Sequence, residues 1–300
     1  MGGGAIWGRT DKGWIGMMAG RPTMENAAQA IATFFGSVTS GQRLTIWAAG
    51  VAFFWLLETG LPLYRKPYDR LRHAGLNFTL TLIAFAVNIA LAFVVAFAID
   101  WTEQHQFGLL NWLPAMPLWL YILIGVMVFD LTSAYIPHRM QHEIKWLWRF
   151  HALHHSDPHV DSTTAVRHHP GDTAMRALFT ALAVVITGTP LWFFYFYQTL
   201  ALVNAQIVHA NVRFPRWLDD ALSWVYLSPD MHRTHHHYKV PYTDSNYSNF
   251  LSIWDRLLGT YTWLDRKDLV FGLDTHPEPA QHSHIPTMLA EPFRAEAKNV

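Results

Sequence analysis

The chain holds 18 histidines in 300 residues, and 13 of them fall between His138 and His237. Eight stand in three sets with helical ligand spacing: His138 and His142 in HRMQH, His151, His154 and His155 in HALHH, and His232, His235 and His236 in HRTHH. Side chains three or four apart on a helix share a face, so the imidazoles of one set converge. A lone histidine is most often a surface or hydrogen-bonded core residue, but eight at this spacing point to metal binding. Neutral imidazole suits iron, zinc, copper or nickel, and eight ligands exceed the four that one zinc ion takes, so the pattern implies two metals. On one continuous helix, His138 and His142 would point about opposite to the HALHH set at roughly 100° per residue. The sequence therefore predicts a break between Glu143 and Arg149.

Other residues join these candidates on weaker grounds. His169 in TAVRHHP and His209 in NAQIVHAN bracket a long apolar run and would be delivered to one membrane face. His168 is the weaker of its pair, because adjacent residues point apart. His159, His237, His276, His282 and His284 are left as solvated or supporting residues. Asp130 lies eight residues before His138 in an apolar stretch, where a carboxylate is expensive and usually functional. It is expected to orient a liganding imidazole through its second nitrogen, with a contact between helices as the plainer role. Glu58 is less telling, being closer to a helix end. His142 and Glu143 begin an HExxH pattern, but Trp146 stands where the second histidine belongs. HPGD at His169 lacks a surrounding haem domain, and no glycine-rich phosphate loop is present.

These residues need helices and a membrane to position them. The chain is 51% hydrophobic and 15% charged, with 22 basic and 22 acidic residues, which excludes a disordered or nucleic-acid-coating protein. Cysteine is absent, which excludes disulfides, thiolate metal sites and a cysteine nucleophile. Residues 1–43 show no secretory-type cleavable signal. The expected organisation is an N-terminal segment 1–43 and three transmembrane helices within 44–136, built from Leu44 to Leu63, Leu76 to Ile99 and Pro117 to Ile136. A histidine-box region 137–265 follows, then a tail 266–300. Residues 177–208 carry no charge and are interrupted at Gly188, Thr189 and Pro190, which reads as a membrane hairpin. Its first arm, Ala177 to Thr187, would be about 16 Å long against roughly 30 Å of hydrocarbon, so both ends should stay on one side. The fold class is an all-α membrane bundle with a helical cap holding the dimetal site. Arg65, Lys66, Arg70 and Arg72 follow the first span, and Arg139, Lys145 and Arg149 the third, which places the cap on the cytosolic face. Trp101, Trp112 and Trp119 fit the opposite interface. Basic residues near the N-terminus conflict with this count unless a dipping stretch around Ala27 to Val38 returns that segment to the cytosol.

Together these residues resemble the fatty acid hydroxylase and sterol desaturase superfamily of integral-membrane di-iron oxygenases. The resemblance runs from about Asp130 to Tyr261. Asp130, Tyr135 and HRMQH resemble the approach to the first histidine box, LWRFHALHHS the second, and TAVRHHP a TAxRxHP segment that points to His169. His209 with Asn211 resembles an HxN element, and PDMHRTHH with DSNYSNFLSIWDRLLGTY resembles the closing signature. Pro137, Asp172 and Ser248 depart from the usual pattern. The resemblance implies two non-haem iron ions and O2 as co-substrate, reduced by an external cytochrome b5-, ferredoxin- or flavoprotein-type donor. It also implies attack on an unactivated C–H bond of a lipid. Asn211, Asp244 and Asn246 join Asp130 as candidates behind the ligands.

The expected activity is lipid hydroxylation, with desaturation at the same centre as the nearest alternative. A di-zinc membrane hydrolase stays open through Asp130, Asp157 and Asp244, each a possible base. A metal transporter fits poorly, because the histidines lie beyond the helix ends. A bacterial inner membrane is favoured over the endoplasmic reticulum.

Overall fold

Local signals start the first three helices of the computed structural model, which describes residues 23–65, 67–274 and 283–294. Thr23 caps α1 (Met24–Ser37) by accepting from the Asn26 amide. A reciprocal Thr39–Gln42 box opens α2 (Ser40–Gly60), and Asp69 caps α3 (Arg70–His105). A short turn α4 (Leu109–Trp112) precedes α5 (Leu118–Asp130), which runs through a π-turn at Leu131–Tyr135 into α6 (Ile136–Glu143). Then come α7 (Lys145–His155), α8 (Pro170–Thr187), α9 (Leu191–His209), α10 (Arg216–Leu222) and α11 (Pro229–His235). Two isolated β-bridges are the only extended pairing among the described residues. The expectations for His276, His282 and most of the N-terminal basic residues lie outside them.

Three stretches are long and apolar enough to cross a membrane: 70–112, 118–143 and 191–209. The chain is a helical membrane protein with these candidate spans. Two of them match the expected second and third helices. The third is α9, the second arm of the expected hairpin, while α2, the expected first helix, carries Arg43 and Glu58 near its ends, which lower its mean hydropathy. Leu82, Phe85, Phe93 and Phe97 stand exposed along α3, as lipid-facing residues would.

The hairpin is deeper than expected, because α8 begins at Pro170, and its 18 residues extend about 27 Å at 1.5 Å per residue. Its first arm, α8, runs parallel to α3: Thr81 donates to the Val166 carbonyl at one end, and Gly188 meets Gly108 backbone at the other. A Cβ on Gly108 would lie 2.2 Å from the Gly188 nitrogen, and both glycines have positive φ, so glycine is required at this tip. Val95, Ala98, Leu118, Phe129, Val184 and Phe193 form the apolar core between α3, α5, α8 and α9. The hairpin therefore returns His209 to the end of the bundle from which α8 departed.

Candidate metal centre

Three short helices, α6, α7 and α11, and the end of α9 converge at that end. The expected break falls at Ile144, whose φ of −95° and ψ of 112° turn α6 back against α7. Ser228 caps α11, which carries His232 and His235, and His236 closes it. The nitrogens gather in two buried groups: His138, His142, His151, His155 and His235 in one, and His154, His209, His232 and His236 in the other. We call them the first and second clusters.

Backbone carbonyls fix which nitrogen faces inward. His138 Nδ1 donates to the Tyr247 carbonyl at 2.8 Å and His235 Nδ1 to that of Ser245 at 2.6 Å. The proton of each neutral ring is therefore on Nδ1, and Nε2 presents a lone pair. Those two Nε2 atoms are 3.1 Å apart, and His151 Nε2 lies 3.2 Å from that of His138. In the second cluster His209 donates through Nδ1 to the Ala205 carbonyl at 2.7 Å. Its Nε2 stands 3.0, 3.2 and 3.1 Å from Nε2 of His232, His154 and His236. Facing lone pairs repel unless a cation lies between them, so both donor sets fit a metal ion. Both nitrogens of His155, buried in the first cluster, lack a hydrogen-bond partner in the protein.

The electrostatics keep these rings ready to ligate. Burial pushes His235 down to about 3 and His151 down to about 4, the latter despite an opposing pull from Asp172. Burial also holds His154, His155, His232 and His236 well below the usual imidazole range. Trp148 packs on His142 and His155, and Tyr247 on His138 and His142, which keeps water from the first cluster.

Nine of the ten histidines expected as ligands lie in the clusters; His169 does not. Its Nδ1 accepts from the Gly171 amide at 2.9 Å, capping α8, and its Nε2 donates to the Leu289 carbonyl. Extended backbone at His169 sends adjacent side chains to opposite sides, so His168 is the one that stacks on His154, with ring centroids 4.6 Å apart. His168 also contacts Asp172 at 2.8 Å.

Of the four residues expected behind the ligands, Asp244 reaches one, meeting His142 Nδ1 at 3.1 Å. Asp130 touches no histidine; it accepts from the Tyr197 hydroxyl at 2.5 Å and the Leu251 amide at 3.1 Å. The π-turn after it inserts about one extra residue, a rotation of roughly 100° that takes it off the His138 face. Asn211 ties to Tyr64 through backbone groups, and Asn246 clamps the Met231 and Thr262 backbones, holding α11 in place. Asp157, another possible base, is engaged by His73 and Thr164.

Two carboxylates matter more than the sequence reading allowed. Buried Asp172 accepts from Gln141 and, at 3.1 Å, from Arg176, and stands 3.5 Å from His151 Nδ1. It lies four residues after His168, a spacing that was available in the sequence, and meets it across the start of α8 at 2.8 Å. Glu58, also buried, accepts from the Ser162 and Asn211 amides and pairs with Arg70 at 2.9 Å. It bolts α2 to the loops that carry the clusters.

Residues 122–260 match the fatty acid hydroxylase family. The chain is 27% identical to the ornithine lipid hydroxylase OlsE of Rhizobium tropici over 222 residues, 72% of this chain and 66% of that protein. It is 30% identical to the alkylglycerol monooxygenase of Xenopus tropicalis over 150 residues, 47% of this chain and 30% of that one. The human alkylglycerol monooxygenase matches at 30% over 152 residues, again 30% of its length. No solved structure matches the chain. Over residues 122–260 the chain is thus similar to the fatty acid hydroxylase family, it spans about a third of the alkylglycerol monooxygenases it matches, and its buried histidine clusters could hold metal.

Proposed function

We propose that this protein is an O2-dependent lipid hydroxylase working with two iron ions, one in each histidine cluster, on the cytosolic face of a bacterial inner membrane. The observation that carries the reading is the pair of buried clusters whose Nε2 lone pairs face one another at 3.0 to 3.2 Å. When bound, the metal pair supplies activation of O2, so that one oxygen atom enters a C–H bond and the other leaves as water, with two electrons from an external donor.

The protein's own residues do the rest. Carbonyls of Tyr247, Ser245 and Ala205 hold three rings in the ligating tautomer. Trp148 and Tyr247 exclude water. A cavity of about 590 Å³ runs between α3, α8 and α9 and ends at His168 and Arg176, beside the clusters. Most of its wall is apolar, including Leu91, Val95, Ile99 and Phe194, which suits a lipid chain arriving from the bilayer. The relatives bearing lipid hydroxylase and monooxygenase names favour hydroxylation over desaturation.

Mass spectrometry of host-cell lipids under isotopically labelled O2 tests this, comparing the intact protein with His235→Ala. A lipid that gains one labelled oxygen only with the intact protein is the expected result. A product lighter by two hydrogens and unlabelled would replace hydroxylation with desaturation. Full turnover and full iron content in His235→Ala would refute the cluster assignment.

A further inference from the structure

The cavity wall carries two arginines, Arg43 and Arg176, and no aspartate or glutamate. The two are differently placed. Arg176 donates to Asp172 at 3.1 Å, so its charge is met within the protein. Among the described residues no carboxylate pairs with Arg43, which lies over the Tyr195 ring at 4.1 Å. Tyr195 belongs to the candidate span 191–209, and the neighbouring Leu44 is largely exposed on the outer side of α2. Arg43 is thus a cation without a carboxylate partner, partly buried near the Leu191 end of that span, that faces the cavity. An unmatched charge on an otherwise mostly apolar wall is the feature that an anionic ligand would satisfy. A guanidinium stacked on an aromatic ring keeps its donor edge fixed, a geometry suited to the paired oxygens of a carboxylate or phosphate.

We propose that the cavity selects a lipid carrying an anionic oxygen group, and that Arg43 is the specificity-determining residue that binds it. The inference rests on the reading of this cavity as the lipid site. Charge complementarity commits the occupant: one or more apolar chains against Leu91, Val95, Ile99 and Phe194, and an anionic group on Arg43. A neutral or purely cationic headgroup would leave the guanidinium unmatched.

The test is equilibrium binding to the purified full chain in a neutral detergent, which needs no turnover. Hexadecyl phosphate and palmitate are the anionic probes, and hexadecanol is the neutral control with the same chain. Arg43→Gln is expected to weaken either or both anions roughly ten- to hundredfold while leaving hexadecanol unchanged, as expected for loss of one charge-assisted contact. Whichever anion loses more identifies the group. Arg43→Lys should restore part of the affinity, since the charge returns without the planar fork. Ala92→Trp, which fills the cavity, should abolish binding of all three probes. Equal binding of the anions by the intact protein and Arg43→Gln would overturn the proposal, as would undiminished binding by Ala92→Trp. Metal content separates the two claims: Arg43→Gln should keep its full complement, and a failed dimetal reading would show instead as an intact protein that holds no metal.

Discussion

The two histidine clusters differ in what holds their rings. In the first, four of five rings have a Nδ1 partner: the Tyr247 and Ser245 carbonyls, Asp244 and Asp172. In the second only His209 does, through Ala205. Nδ1 of His154, His232 and His236 is buried without a hydrogen-bond partner in the protein. A ring anchored at Nδ1 keeps its orientation whether or not metal is present, whereas an unanchored one depends on packing and on the ion itself. The first cluster is fixed largely by the protein, whereas the second would need a bound ion to fix its rings. The second ion should accordingly be the one lost first.

Acidification gives the largest expected effect. Burial holds His151 at about 4 and His235 at about 3, against about 6.5 for an exposed imidazole. Below about pH 6.5 the unfolded chain takes up protons that the native state refuses, so stability is full above that value and falls as pH drops toward 4. Metal binding follows the same direction, because its ligands must be neutral. Metal-to-protein ratio and thermal midpoint, followed from about pH 8 to about pH 4, should both fall. The loss should come in two steps of one ion each. A single step would break the distinction between the clusters.

Asp172→Asn should move the first cluster toward the condition of the second. The carboxylate faces donors from Gln141, His168 and Arg176 as well as His151, and an amide cannot accept from all of them. Metal retention under a competing chelator should drop roughly 10- to 100-fold, with the two steps of metal loss drawn together. Unchanged retention would show that Asp172 supports α8 rather than His151.

The sequence made the first-order pattern legible because helical spacing is a local property. The sets HRMQH, HALHH and HRTHH, the break near Ile144 and the return of His209 all follow from residue type, period and apolar length. Two features were hidden because they depend on backbone geometry that no spacing rule carries. The π-turn at Leu131–Tyr135 rotates Asp130 away from the histidines and onto Tyr197, joining α5 to α9. Extended backbone at the start of α8 exchanges the expected roles of His168 and His169. Glu58 was undervalued because its partners, Ser162 and Asn211, are more than a hundred residues away in sequence.

Asp244→Asn sharpens the comparison with the smallest expected effect. Asp244 stands 3.1 Å from His142 Nδ1 much as Asp172 stands near His151, but its side chain is 29% exposed while that of Asp172 is fully buried. Water screens the charge of the exposed carboxylate, and the asparagine oxygen can still accept the Nδ1 proton. Metal retention in this variant should therefore change by less than about threefold, under the chelator conditions that expose Asp172→Asn. Were the two substitutions equally damaging, the negative charge itself would be the requirement at both positions. A small effect at Asp244 beside a large one at Asp172 would mean that burial decides how strongly a carboxylate holds a ligating ring. On that account the second cluster is the more weakly held because three of its four Nδ1 atoms face neither carboxylate nor carbonyl, and a new acceptor there would have to be buried to strengthen it.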